Sequence, residues 1–196
     1  MKHVSSCQVF LIFCADFYRA SLAYQKNGKS LEELDKYVKK PNSLILGSQD
    51  VGLAMGYATI CAESLGLSVC PVGVVRVKSL EIIKELKLPK YVIPIGGLCL
   101  GYPDDDPGLK PRLPIDAVFF EEKYDTEKAK TGIDQFDETY HKYLKERGSD
   151  ARDSNWSKSL IEYMKKEINL VLKIWKCSNN KDILMINNIK YYYMKY

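Results

Sequence analysis

The sequence predicts a layered α+β domain, and three observations carry that expectation. Short apolar runs, partly β-branched or aromatic, alternate with longer stretches whose apolar residues recur at helical spacing. Read in order, the segments run strand, helix, helix, β-like segment, helix, strand, strand, helix, helix, a mixture that suits helices packed on a sheet. With 196 residues, 46% of them hydrophobic, the chain is long enough to bury a substantial core as one domain.

The first strand is predicted over Gln8–Ala15, a buried apolar run, succeeded by a polar connection from Asp16 to Lys29. Ser30-Leu-Glu-Glu33 is a capping box that opens a short helix to about Tyr37, ended by Lys39-Lys-Pro41. The longest apolar helix is expected to start at Ser48 or Asp50 and to run to about Leu65. It is dense in small residues and apolar on more than one face, which suits packing against a second subunit as well as its own sheet. Gly66 stands where a left-handed C-cap belongs.

Ser68–Val77 is β-like but broken by Pro71 and Gly73, which points to an irregular turn presenting backbone groups rather than a central strand. Ser79 is expected to cap a short helix through Leu86, stopped by Pro89. Strand Tyr91–Ile95 comes next, and Ala117–Glu121 reads as another. Ile133, Phe136, Tyr140 and Leu144 trace one helix face ending at Gly148. Leu160, Met164, Ile168, Val171 and Trp175 mark a last amphipathic helix.

Bulk properties exclude several function classes. No stretch resembles a signal peptide, and the longest apolar runs read as too short to span a bilayer. Six cysteines, at 7, 14, 61, 70, 99 and 177, lie singly without metal-type spacing, as in a protein of a reducing, cytoplasmic compartment. The net charge of +4 is concentrated from Lys158 to the end, where eight lysines face three acids. That basic, tyrosine-rich tail carries no nucleic-acid-binding motif, so neither a nucleic acid nor a membrane is an expected partner.

The organising stretch runs from Gly96 to Pro114. Three glycines are expected to turn the backbone or bring it close to a ligand, and four prolines stiffen the remainder of the stretch. Lys110 and Arg112, two apart in extended backbone, point to one face and offer an ammonium and a guanidinium to one phosphate; two solvated loop cations fit the same residues. His3 and His141 read as ordinary surface histidines, and Asp104–Asp106 as a solvated turn. No nucleophile, acid–base dyad or metal site is evident. This argues against a hydrolase but not against an enzyme whose cofactor carries the chemistry.

Gly97-Leu-Cys-Leu-Gly-Tyr-Pro103, with Leu109-Lys-Pro-Arg-Leu-Pro114 after it, resembles the nitroreductase superfamily, in its NADPH-dependent nitroreductase and flavin reductase group. Phe13–Arg19, Ala62–Leu67, Arg147-Gly-Ser149 with Arg152, and Trp156-Ser157 agree with the same group in order and spacing. The resemblance implies a three-layer sandwich with a central mixed or antiparallel sheet, over a flavin mononucleotide (FMN)-binding domain at 1–176 and a basic extension at 177–196. It implies a homodimer that uses FMN, with NADPH as co-substrate, to reduce a small-molecule acceptor such as a nitroaromatic, a quinone or free flavin by two-electron hydride transfer. Carried over by residue, the backbone of Pro71, Val72, Gly73 and Val74 passes the flavin ring, Lys110 and Arg112 hold its phosphate, and Arg147 and Arg152 hold the 2′-phosphate of NADPH. Val74 stands where many relatives have a second glycine, and Asp153 where close relatives can carry an arginine. The family's N-terminal His-Arg-Ser-x-Arg-type motif has no counterpart. The alternative expectation is therefore a truncated, non-catalytic dimer scaffold that binds flavin weakly or not at all.

Overall fold

The computed structural model describes residues 2–104 and 108–177, without the side chains of Lys2, Ser149 and residues 167–177. Asp105, Asp106 and the 178–196 tail lie outside the described residues. The chain divides at Asp105/Asp106 into two compact units.

The first unit is built on a three-stranded antiparallel sheet of order β1-β3-β2, made by β1 (Val9–Asp16), β2 (Ser68–Val72) and β3 (Val92–Gly101). One face carries α4 (Pro41–Ser64). A Cβ added to Gly96 of β3 would sit 2.8 Å from Met55 Sδ on that helix. The other face carries α1 (Lys2–Ser6), a 3-10 turn (Gly73–Arg76) and α5 (Ser79–Glu85), around a core of Val72, Val75 and Cys99 with Val4, Phe10 and Ile82. Helix, sheet and helix layers thus reproduce the expected layered α+β class. At one end of the sheet, α2 (Tyr18–Lys26) and α3 (Glu32–Val38) close a satellite cluster of Leu34, Val38 and Tyr91.

Several boundaries differ from expectation. Asp16–Lys29 is not mere connection: Asp16 Oδ1 accepts from the amides of Tyr18 and Arg19 at 2.9 and 3.3 Å, and α2 begins there. Ser30 accepts from the Glu32 amide at 3.2 Å, one residue earlier than a capping box requires. Ser79 is the first helical residue, and the N-cap is Lys78, with no side-chain bond. β1 is only partly buried, with Val9 and Leu11 49% and 37% exposed. Ala117–Glu121 is not a strand: a 3-10 turn covers Ile115–Ala117, and the Phe119 amide donates to the Ile115 carbonyl at 2.8 Å, which curls the backbone away from any ladder.

The largest corrections concern β3 and α4. Strand β3 runs through Gly96 and Gly97 without turning, because those glycines make room for neighbours. A Cβ on Gly97 would lie 2.6 Å from Phe10 and 2.9 Å from Val75. Pro41 occupies the first turn of α4, where its missing N–H costs nothing, so the helix begins about two turns before Ser48. At 24 residues, with a mean hydropathy of 1.2 over its most apolar window, α4 is long and apolar enough to cross a bilayer, contrary to the expectation from run lengths. As expected, α4 is apolar all round: Val51 and Ala62 are buried, whereas Ile45, Leu53, Tyr57 and Ile60 are 55–70% exposed. Gly66, at φ +76°, ends the helix as predicted, and the Leu67 amide reaches the Ala62 carbonyl at 3.0 Å.

The second unit contains α6 (Thr126–Lys145) and α7 (Trp156–Cys177). Asp125 caps α6 by accepting from the Glu127 and Lys128 amides at 3.0 Å each. Phe136, Tyr140 and Leu144 form the buried stripe that the periodicity predicted, packed against Leu113 and Trp156. Ile133 is 37% exposed.

One polar triad ties the satellite cluster together. Lys90 Nζ and Tyr91 Oη both donate to Asp35 Oδ1, at 2.9 and 2.8 Å. The Lys90 bond, then the Tyr91 bond, holds the Asp35 carboxyl below its ordinary value of 3.8. A lowered folded pKa contributes stability above the unfolded value and loses it as pH falls through the folded one. In Asp35→Asn, stability is expected to depend less on pH in the acid range below that ordinary value. Urea titrations at a series of acid pH values measure it, and an unchanged slope would remove the role.

Candidate functional site

The expected flavin-ring segment lies in the first unit. Pro71 is exposed on β2, an edge strand of the described sheet, where a residue without an N–H is tolerated. The segment is more regular than expected: β2 pairs with β3 in register through Val72, opposite Gly97, before the chain tightens into the 3-10 turn at Gly73. Val72 is only 2% exposed, its side chain committed to the core, so any ligand contact from it comes through backbone. The first amides of a 3-10 turn capped by Val72, here those of Gly73 and Val74, have no acceptor within the turn. A Cβ on Gly73 would lie 3.4 Å from the Arg76 guanidinium, so glycine keeps that approach open. Val74 is 37% exposed.

Lys110 and Arg112 lie in the second unit, on the irregular strap before α6, and Lys110 is exposed while Arg112 is largely so. Lys110 Nζ sits 5.9 Å from the ring centroid of Tyr140. Arg112 Nη1 folds back to donate to the carbonyls of Lys110 and Pro111, at 3.0 and 3.3 Å. Among the described residues neither cation is paired with a carboxylate. The strap is anchored by Leu113, which packs on the α6 stripe.

Arg147 and Arg152 flank a 3-10 turn (Gly148–Asp150) entered at Gly148, φ +61°. Arg147 stacks 5.6 Å from the Tyr143 ring centroid and lies 3.9 Å from Asp150, an exposed contact of little energetic weight. The Arg152 amide donates to the Leu144 carbonyl at 3.1 Å, which fastens the turn to the end of α6. The Arg152 side chain opens a groove of about 450 Å³, shared with Asp153, Ser154, Lys158, Ser159 and Lys165 among others. Three cations and two hydroxyls line it together with two carboxylates, Asp153 and Glu162, so its net charge is only +1.

Sequence reasoning missed part of this constellation. Tyr140 and Tyr143, three apart on α6, give Lys110 and Arg147 their ring partners, and only the i,i+3 spacing hinted at it. His141 is not an isolated surface residue: its Nδ1 lies 2.9 Å from the Ser154 carbonyl and its Nε2 3.6 Å from Asp153 Oδ1. Lys145 approaches the same carboxylate at 3.9 Å.

Comparison with known proteins gives concordant matches. Residues 110–179 match the profile described as the nitroreductase family, C-terminal domain. The FMN reductase [NAD(P)H] of Bacillus subtilis is 39% identical over 161 residues, 82% of this chain and 64% of that protein. The oxygen-insensitive NADPH nitroreductase of Salmonella typhimurium is 37% identical over 166 residues, covering 85% and 65%. Among solved structures, NfrA1 of B. megaterium superposes with a TM-score of 0.73 at 33% identity, over 85% of this chain and 70% of that one. The chain thus spans just under two thirds of the length of these curated relatives.

Proposed function

The chain belongs to the nitroreductase family, and on that premise we propose that it is an FMN-dependent NAD(P)H oxidoreductase. Its acceptors would be nitroaromatics, quinones or free flavin. Bound FMN would supply the two-electron hydride chemistry, and the protein binding, orientation and electrostatics. The observation that carries the reading is the strap at 108–114, which presents Lys110 and Arg112 without carboxylate partners among the described residues. That donor set fits a phosphate. The backbone of Pro71, Val72, Gly73 and Val74 fits the polar atoms of a flavin ring, because the turn leaves its first amides unsatisfied internally.

Arg147 and Arg152 serve the 2′-phosphate of NADPH in this reading, and Asp153, whose charge Lys145 offsets in part, tempers the preference for it. Replacing both arginines with alanine is expected to raise KM for NADPH far more than KM for NADH, since each charge-assisted bond is worth roughly 1.5–3 kcal/mol. Steady-state kinetics with the two nucleotides measure this; equal effects on both would remove the assignment.

A homodimer is part of the same proposal, with residues 1–176 as the FMN-binding domain and a cytoplasmic setting. Helix α4 buries one side on its own sheet and exposes Ile45, Leu53, Tyr57 and Ile60 on the other. A Cβ on Gly52 or Gly56 would meet nothing within 4 Å, so a second backbone could approach closely there. We read this face as a subunit interface rather than a membrane span. Sedimentation should give a detergent-free dimer at micromolar concentration, and a monodisperse monomer would count against it.

A further inference from the structure

Three of the described thiols converge on the sheet face away from α4. Cys99 is 4% exposed, in the core cluster with Val72 and Val75, and Cys7 and Cys70 pack against that cluster. Cys70 of β2 stands directly opposite Cys99 of β3 in the antiparallel register. Opposed antiparallel residues share a face, with Cα atoms about 4.5 or 5.5 Å apart. Both spacings fall within the range of roughly 4.4–6.8 Å that a disulfide spans without backbone movement. Both sulfurs are free, and Cys70 is half-buried on an edge strand, where a small oxidant can reach it.

We propose that Cys70 and Cys99 form an oxidation site at which hydrogen peroxide closes a cross-strand disulfide between β2 and β3. The thiolate of Cys70 attacks one peroxide oxygen; an S–O bond forms, the O–O bond breaks, and the departing hydroxide takes a proton to become water. Cys99 sulfur then attacks the sulfenic sulfur of Cys70, forming the S–S bond as the S–O bond breaks. The second hydroxide leaves with the Cys99 proton as another water. Two thiols lose two electrons in all, and one peroxide is reduced to two waters.

The division of roles comes from the surroundings. Burial, then the neighbouring Cys7 and Cys70 thiols, pushes Cys99 up to about 11, so it remains a thiol at neutral pH until a sulfenic acid forms beside it. The bridge would staple the strand immediately before Gly73, at a position that does not depend on the flavin reading.

The test uses the full chain in a Cys61→Ala background, because Cys61 shares its tryptic peptide with Cys70. After brief exposure to hydrogen peroxide the protein is unfolded, alkylated, digested with trypsin and analysed by tandem mass spectrometry. A linked pair of peptides 40–76 and 91–112, lost on treatment with dithiothreitol, is expected. Cys70→Ser should leave Cys99 fully alkylatable, with a far-ultraviolet circular dichroism spectrum matching the parent, and Cys7→Ser should leave the linked pair intact. Full alkylation of Cys99 after peroxide, a Cys7–Cys99 link, or a link only between two chains would each overturn the proposal.

Discussion

In the double variant Lys110→Ala/Arg112→Ala, affinity for FMN is expected to fall by roughly two to four orders of magnitude. Each cation lost to a phosphate removes a charge-assisted bond worth about 1.5–3 kcal/mol, and every 1.4 kcal/mol is tenfold. In the structure Arg112 spends its guanidinium on two adjacent carbonyls and Lys110 lies over a tyrosine ring. Turning either toward a dianion exchanges a weak contact for a strong one. Arg112→Ala alone should cost about half of the total on a logarithmic scale. Quenching of flavin fluorescence in the 196-residue chain measures it. Unchanged affinity in both variants would mean that the phosphate is held elsewhere. A uniform loss in Lys128→Ala as well would reduce the effect to net charge.

Leu98→Ala is expected to lower stability by about 2–5 kcal/mol, the range for deleting a fully buried leucine side chain. Leu98 is 0% exposed at the centre of β3, between Leu11 of β1 and Pro71 of β2. It shares its face with Gly96, against which Met55 of α4 packs. The site therefore has sheet on both sides and a helix above, with little freedom to collapse into the void. A loss of that size is a large fraction of the roughly 5–15 kcal/mol that holds a domain folded. Urea denaturation monitored by circular dichroism tests it, and a change below about 1 kcal/mol would show that the site repacks.

Local chemistry was legible where it is self-contained. The 3.6-residue periodicity of Phe136, Tyr140 and Leu144 set the buried face of α6, and Gly66 set the end of α4, because each depends only on neighbours in sequence. That Lys110 and Arg112 share one proline-rich strap was readable directly, whereas the ring and carbonyls they contact were not.

By itself, then, the sequence determined an α+β chain with its long helices, the break of its second β segment at Gly73 though not at Pro71, and the cations of its candidate sites. Tertiary structure alone decided what the glycines and thiols do. Gly96 and Gly97 look like a turn in sequence, yet they lie in a continuous strand because Met55, Phe10 and Val75 need the space. Ala117–Glu121 has a strand's composition but curls into a 3-10 turn, since a strand exists only where a partner supplies its hydrogen bonds. Cys70 and Cys99, 29 positions apart, meet only because the register of β2 on β3 sets them opposite each other. Register is a long-range contact, and no periodicity within one segment encodes it.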